Sequence, residues 1–230
     1  MFYKRIREPQ KAFQCCKEIA QSIEEVVLRR VALQVLEENK YLYLSLKGSD
    51  WQHHNYAGGL IVHTCNVALN SIKLAEFYKD FVCMDLVKFG SLMHDVGKLF
   101  EYECQAKFTN DNNNTSINRA LLGHSFEGAS YISNKLKLEY DRKDILAQED
   151  YAKNVITQAT HCVGAHMNSF GACAKKQMLE VIIIGCADKI DAYLECTIVE
   201  DNQNSFVNGY GETIYRSEVS PKKVISCREY

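Results

Sequence analysis

Between Pro9 and Pro221 the chain runs for 211 residues without a proline. Proline costs about 3 kcal/mol in a helix interior, whereas turns and strand edges tolerate it. A stretch this long without one predicts a body built mainly of α-helices. The size allows it: a 230-residue chain buries roughly 70% of its unfolded surface, so its core needs neither disulfides nor a structural metal.

Helical spacing of apolar residues supports the same reading. In EEVVLRRVALQVLEENK, Val26, Val27, Val31, Leu33, Val35 and Leu36 recur with charged residues between them, and residues 9–39 read as one or two amphipathic helices. YLYLSLK at 41–47 alternates and fits either a short strand or an extended helix end. Further helices are expected over 60–79, 84–96 (stopping at Gly97), 118–137, 144–167 and 175–198. The Asn-dense segment within 102–117 reads as an exposed loop, and the tail from 201 as irregular or weakly extended. The fold class is therefore all-α.

Charge and composition narrow the function. With 47% hydrophobic and 24% charged residues the chain is an ordinary globule, and a net charge of −2 excludes a broadly basic surface for duplex nucleic acid. The longest apolar run, VIIIGCA at 181–187, is far short of the roughly 20 residues that span a bilayer. MFYKRIREPQ lacks the apolar core of a signal peptide, which points to the cytoplasm. The ten cysteines form no CxxC pair, sit mostly in apolar stretches and read as reduced, buried packing residues.

All seven histidines fall between positions 53 and 166. His94-Asp95 ends an apolar helix in SLMHDVGK; adjacent residues differ by about 100° around a helix, so only a helix end lets both reach one ion. Asp188 follows Val181, Ile182, Ile183, Ile184 and Ala187, and a buried carboxylate is costly unless paired or metal-bound. Asp191 stands three residues on, along a similar face. His63 lies one turn into an apolar helix, and His124 follows Leu121, Leu122 and Gly123. His161 and His166 diverge on a regular helix, and a helix ending near Gly164 would bring both to one site. Taken singly, each has a plain reading as a core histidine, a salt bridge or a solvated helix end. Together they form an ordered set of imidazoles and carboxylates suited to Mn²⁺, Fe²⁺, Co²⁺, Ni²⁺ or Zn²⁺, with room for two ions bridged by Asp95.

This order resembles the HD-domain metal-dependent phosphohydrolases, and most closely the YhaM-type 3′-5′ exoribonuclease branch. The resembling segments are HHNYAGGLIVHT at 53–64, LMHDVGK at 92–98, LLGHSFEGA at 121–129, the His161/His166 element and EVIIIGCADKIDA at 180–192. The resemblance implies a helical HD domain over 51–198, preceded by a helical extension (1–50) and followed by an irregular tail (199–230). It implies metal ligation by His63, His94, Asp95 and Asp188, with His124 and His166 on a second ion and His161 in reserve. Asp95 would serve catalysis, Lys98 would stabilise charge on phosphate oxygens, and His53 and His54 would line the substrate entrance. The attacking group would be metal-bound hydroxide, and the substrate a nucleotide or single-stranded nucleic acid end. The branch departs here in three places: His166-Met167 stands for paired histidines, SFGACAKK for a Gly-Ser-Pro segment, and Val62 for an acidic residue. Two other classes fit the same ligand order: a di-iron oxygenase of this fold and a non-catalytic module stabilised by metal.

Overall fold

The computed structural model describes residues 5–49, 53–102, 117–142, 148–167, 171–199, 205–207 and 213–215. The chain opens with α1 (Pro9–Gln21) and α2 (Val26–Glu38). Pro9 stands in the first turn of α1, where its missing N–H costs nothing, and the Glu25 carboxylate caps α2 by accepting from the Leu28 N–H. Residues 9–39 thus form two helices, broken after Ser22. Asp85 secures the break, accepting from the Glu24 and Glu25 N–H groups at 2.8–3.1 Å.

Residues 40–45 settle the ambiguity of the alternating segment: they form the short helix α3 (Lys40–Ser45) with Tyr43 buried. Next come α4 (Gly59–Glu76) and α5 (Met84–Met93). The latter ends earlier than expected, at His94, and the chain turns through Gly97 into α6 (Lys98–Tyr102). The Asn-rich loop lies outside the described residues apart from its ends, α6 and α7 (Ile117–Leu121). A break at Leu122 separates α7 from α8 (Gly123–Tyr140), and α9 (Glu149–Gly164) and α10 (Leu179–Val199) complete the bundle. The tail, expected to be irregular or weakly extended, carries a short antiparallel hairpin in which β1 (Ser205–Val207) pairs with β2 (Thr213–Tyr215).

Helix α4 is the axis of the fold: α1, α5 and α10 all pack along it. It is buried nearly all round, from Gly59 to Ala68, which explains its weak amphipathicity in sequence. One apolar core joins Phe13 and Val31 of the N-terminal helices to Leu60, Phe89, Leu92, Ile132, Val163 and Ile184. Burying each such large side chain contributes about 1.5–3 kcal/mol. Among the described residues no helix is long and apolar enough to cross a membrane. Cys15, Cys16, Cys65, Cys83, Cys162, Cys173 and Cys186 are free thiols; Cys16, Cys65 and Cys162 are buried as expected, whereas Cys83, Cys173 and Cys186 are exposed.

Candidate metal centre

Five helices, α4, α5, α8, α9 and α10, bring imidazoles and carboxylates together near the start of α4. His63 projects from its second turn. His94 and Asp95 follow α5, at the helix end where neighbouring side chains can both turn inward. His124 sits at the start of α8, His166 just beyond α9, and Asp188 on α10. Asp95 stands between two groups of nitrogens. Its Oδ2 lies 3.4 Å from His63 Nε2 and 3.4 Å from His94 Nε2, and its Oδ1 lies 3.5 Å from His124 Nε2 and 3.9 Å from His166 Nε2. Asp188 Oδ1 is 3.2 Å from His63 Nε2. Donor atoms about 2.1 Å from one tetrahedral ion stand about 3.4 Å apart, so this spacing fits ligands sharing cations.

The rings are oriented from behind. His63 Nδ1 donates to Asp191 Oδ2 at 2.8 Å, His94 Nδ1 to the Ser91 carbonyl at 2.8 Å, and His166 Nδ1 to the Val163 carbonyl at 2.6 Å. Carbonyls and carboxylates only accept, so each Nδ1 carries the proton and Nε2 is left for a ligand. His63 Nε2 and His94 Nε2 face each other at 3.3 Å, a contact that needs a proton or a metal ion between them. His124 Nε2 and His166 Nε2 are buried without a hydrogen-bond partner. Buried ring nitrogens without a partner are rare in folded proteins, and here they fit the donor set of a divalent ion.

The electrostatics agree. Burial pushes His124 down to about 3 and His166 to about 4, which keeps both rings in the neutral, ligating form. Burial also opposes a charge on His63, but Asp188 and Asp191 outweigh it and raise His63 to about 9. Asp95 stays well below the ordinary carboxylate range: burial would raise it, and Lys98 and His94 overcome that. Lys98 Nζ pairs with Asp95 Oδ2 at 2.7 Å and donates to the Gly48 carbonyl at 2.7 Å.

Two expected site residues stand elsewhere. His161 does not join the cluster, although α9 ends where expected; it faces the following loop, where its Nε2 accepts from the Gln177 N–H at 3.3 Å. His54 is not at an entrance. It is buried behind His63, with Nε2 2.7 Å from Asp191 Oδ2 and Nδ1 3.0 Å from the Tyr56 hydroxyl, so neither nitrogen is left for a substrate. Its backbone is left-handed (φ 53°), held by the Gly48 and Tyr56 N–H groups that bond its carbonyl. Gly59 makes this approach feasible, because a Cβ there would meet the His54 carbonyl oxygen at 2.0 Å. His53 does face the cluster: its ring centroid is 4.9 Å from that of His63, and its Nε2 is buried without a partner.

Sequence reasoning left out three residues of the centre. Asp191 is fully buried and joins Arg5, His54 and His63; its only signal was its place three residues after Asp188. Arg5 carried no signal. Glu101 is buried with Oε1 3.8 Å from His124 Nδ1, and burial pushes its carboxyl up to about 7.

A helical protein with a buried histidine–carboxylate centre suited to divalent ions is the class that this fold and site define. The family model described as HD domain matches residues 60–193, over half of the chain, and the chain belongs to that family. It is also similar to a dihydroneopterin 2′,3′-cyclic phosphate phosphodiesterase from Methanocaldococcus jannaschii, 29% identical over 99 residues, covering 36% of this chain and 39% of that protein. The chain thus matches less than two-fifths of the relative's length. No solved structure matches.

Proposed function

We propose that this protein is a metal-dependent phosphohydrolase that cleaves a phosphodiester in a nucleotide or at a single-stranded nucleic acid end. HD-family membership and the phosphodiesterase relative support the reaction class. The observation that carries it is the preorganised set of inward Nε2 atoms around both oxygens of Asp95, two of them buried orphans. His63, His94, Asp95 and Asp188 hold one divalent ion, and Asp95, His124 and His166 a second. Such ions supply an activated water at neutral pH and neutralise phosphoryl oxygens.

The chain's own groups complete the site. Lys98 keeps its charge because Asp95 outweighs the cost of its burial, and an ammonium there stabilises charge growing on phosphate oxygens. His53, whose pKa burial lowers, is a neutral imidazole whose unpartnered Nε2 can contact the substrate. The domain reading is retained: an HD domain over 51–198 with a helical extension before it and a tail after it.

The test pairs elemental analysis with turnover of bis-p-nitrophenyl phosphate in Mn²⁺, for the wild type and Asp95→Ala. The reading expects retained transition metal and hydrolysis in the wild type, and loss of both in the variant. Unchanged activity in Asp95→Ala would overturn it.

A further inference from the structure

Asp191 orients His63, and a residue far outside the family match orients Asp191. Arg5 Nη2 lies 2.6 Å from Asp191 Oδ1 and 3.4 Å from the Asp191 carbonyl, while Nη1 lies 3.0 Å from Glu195 Oε2. The Arg5 side chain is only 9% exposed and that of Asp191 is fully buried. The backbone beside Arg5 is held as well. The Ile6 N–H donates to Asn66 Oδ1 at 3.1 Å, and Asn66 Nδ2 donates to the Ile6 carbonyl at 2.9 Å. Asn66 stands on α4 three residues after His63, so Arg5 is tied to the same helix that carries the ligand.

A carboxylate turns easily about its terminal torsion, which has broad, roughly two-fold wells. The guanidinium on Oδ1 removes that freedom and leaves Oδ2 to accept from His54 Nε2 at 2.7 Å and His63 Nδ1 at 2.8 Å. His54 Nε2, His63 Nδ1 and Asp191 Oδ2 are close enough together to hold an ion. Arg5 Nη2, 3.5 Å from His54 Nε2, already supplies a positive charge there, and its repulsion disfavours a metal at that point.

We propose that Arg5 is a positioning residue of the metal centre: by fixing Asp191 it holds the His63 ring with Nδ1 protonated and Nε2 turned toward His94, Asp95 and Asp188. This rests on the metal-binding reading given above. Partners behind metal-ligating histidines typically change metal affinity by about 10–100-fold when removed.

The experiment titrates Mn²⁺ into metal-free full-length protein by calorimetry, for the wild type, Arg5→Gln, Arg5→Lys, Asp191→Asn and the double variant Arg5→Gln/Asp191→Asn. Melting temperatures without metal are recorded beside it. The proposal expects Mn²⁺ binding weakened about 10–100-fold in Arg5→Gln and largely restored in Arg5→Lys. It expects the double variant to bind no more weakly than Asp191→Asn alone, because both changes break one linkage. A lower melting temperature with unchanged Mn²⁺ affinity in Arg5→Gln would mean a packing role only and overturn the proposal. Nitrogen NMR of the His63 ring in wild type loaded with diamagnetic Zn²⁺ needs no variant, and a proton found on Nε2 instead of Nδ1 overturns it equally. A wild type that takes up no Mn²⁺ sinks the metal reading and this proposal with it, and is thereby distinguished from failure of the Arg5 variants alone.

Discussion

Glu101 makes the metal-free protein sensitive to pH in a way that can be worked out in advance. The residue is 3% exposed, and burial raises its carboxyl from its ordinary 4.5 to about 7, with Lys98 opposing the rise and Asp95 adding to it. Between these values the folded protein keeps a proton that the unfolded chain releases. Stability therefore falls as pH rises through the window, and the loss is complete above about 7. At about 1.4 kcal/mol per pH unit, the full loss is roughly 3 kcal/mol. Replacing Glu101 by Gln keeps the shape and removes the ionisation. In a chain of this size, 1 kcal/mol moves the melting temperature by about 2–4 °C. Calorimetry in chelator should find Glu101→Gln and wild type melting together at pH 4, below the window, and the variant melting about 6–12 °C higher at pH 8.5. Added Mn²⁺ should shrink the gap, because cations beside Asp95 ease the ionisation of Glu101. A variant equal to or less stable than wild type at pH 8.5 in chelator would refute the reasoning.

Two further outcomes test the centre's anatomy. His161→Ala should leave metal stoichiometry unchanged and His166→Ala should lower it by one ion, as read by elemental analysis; the reverse pattern would reassign the ligand. Gly97→Ala should cost about 1–3 kcal/mol by overpacking, because its Cβ would meet the His124 carbonyl oxygen at 2.0 Å and the Gly128 nitrogen at 2.8 Å. Since that contact seats the start of α8, Gly97→Ala should also weaken metal uptake, and a variant melting and binding Mn²⁺ like wild type would show the contact to be slack.

What could be read from the sequence divides along a physical line. Helices dominated because a long proline-free chain with 3.6-residue periodicity leaves few alternatives, while the six residues of α3 were too few to separate a period of two from one of 3.6. His63 and Asp188 stood out because polar groups inside apolar helices are expensive, and that cost is visible from neighbours in the chain. For His161 and His166 the deciding fact was the last turn of α9: beyond Gly164 the chain swings His166 inward and leaves His161 on the outer side. Asp191 shared the signal of Asp188, but its role lies in its partners. Arg5 is 186 positions away and His54 is 137, distances over which no local pattern carries information. Glu101, in a run that reads LFEYE, has no local pattern that marks it for burial, and the packing of α6 against α8 buries it. Ligand atoms are thus legible where a helix must pay for burying them. The groups that aim those ligands are not, because a buried carboxylate already satisfied by a guanidinium leaves no unmet cost for a reader of the chain to notice.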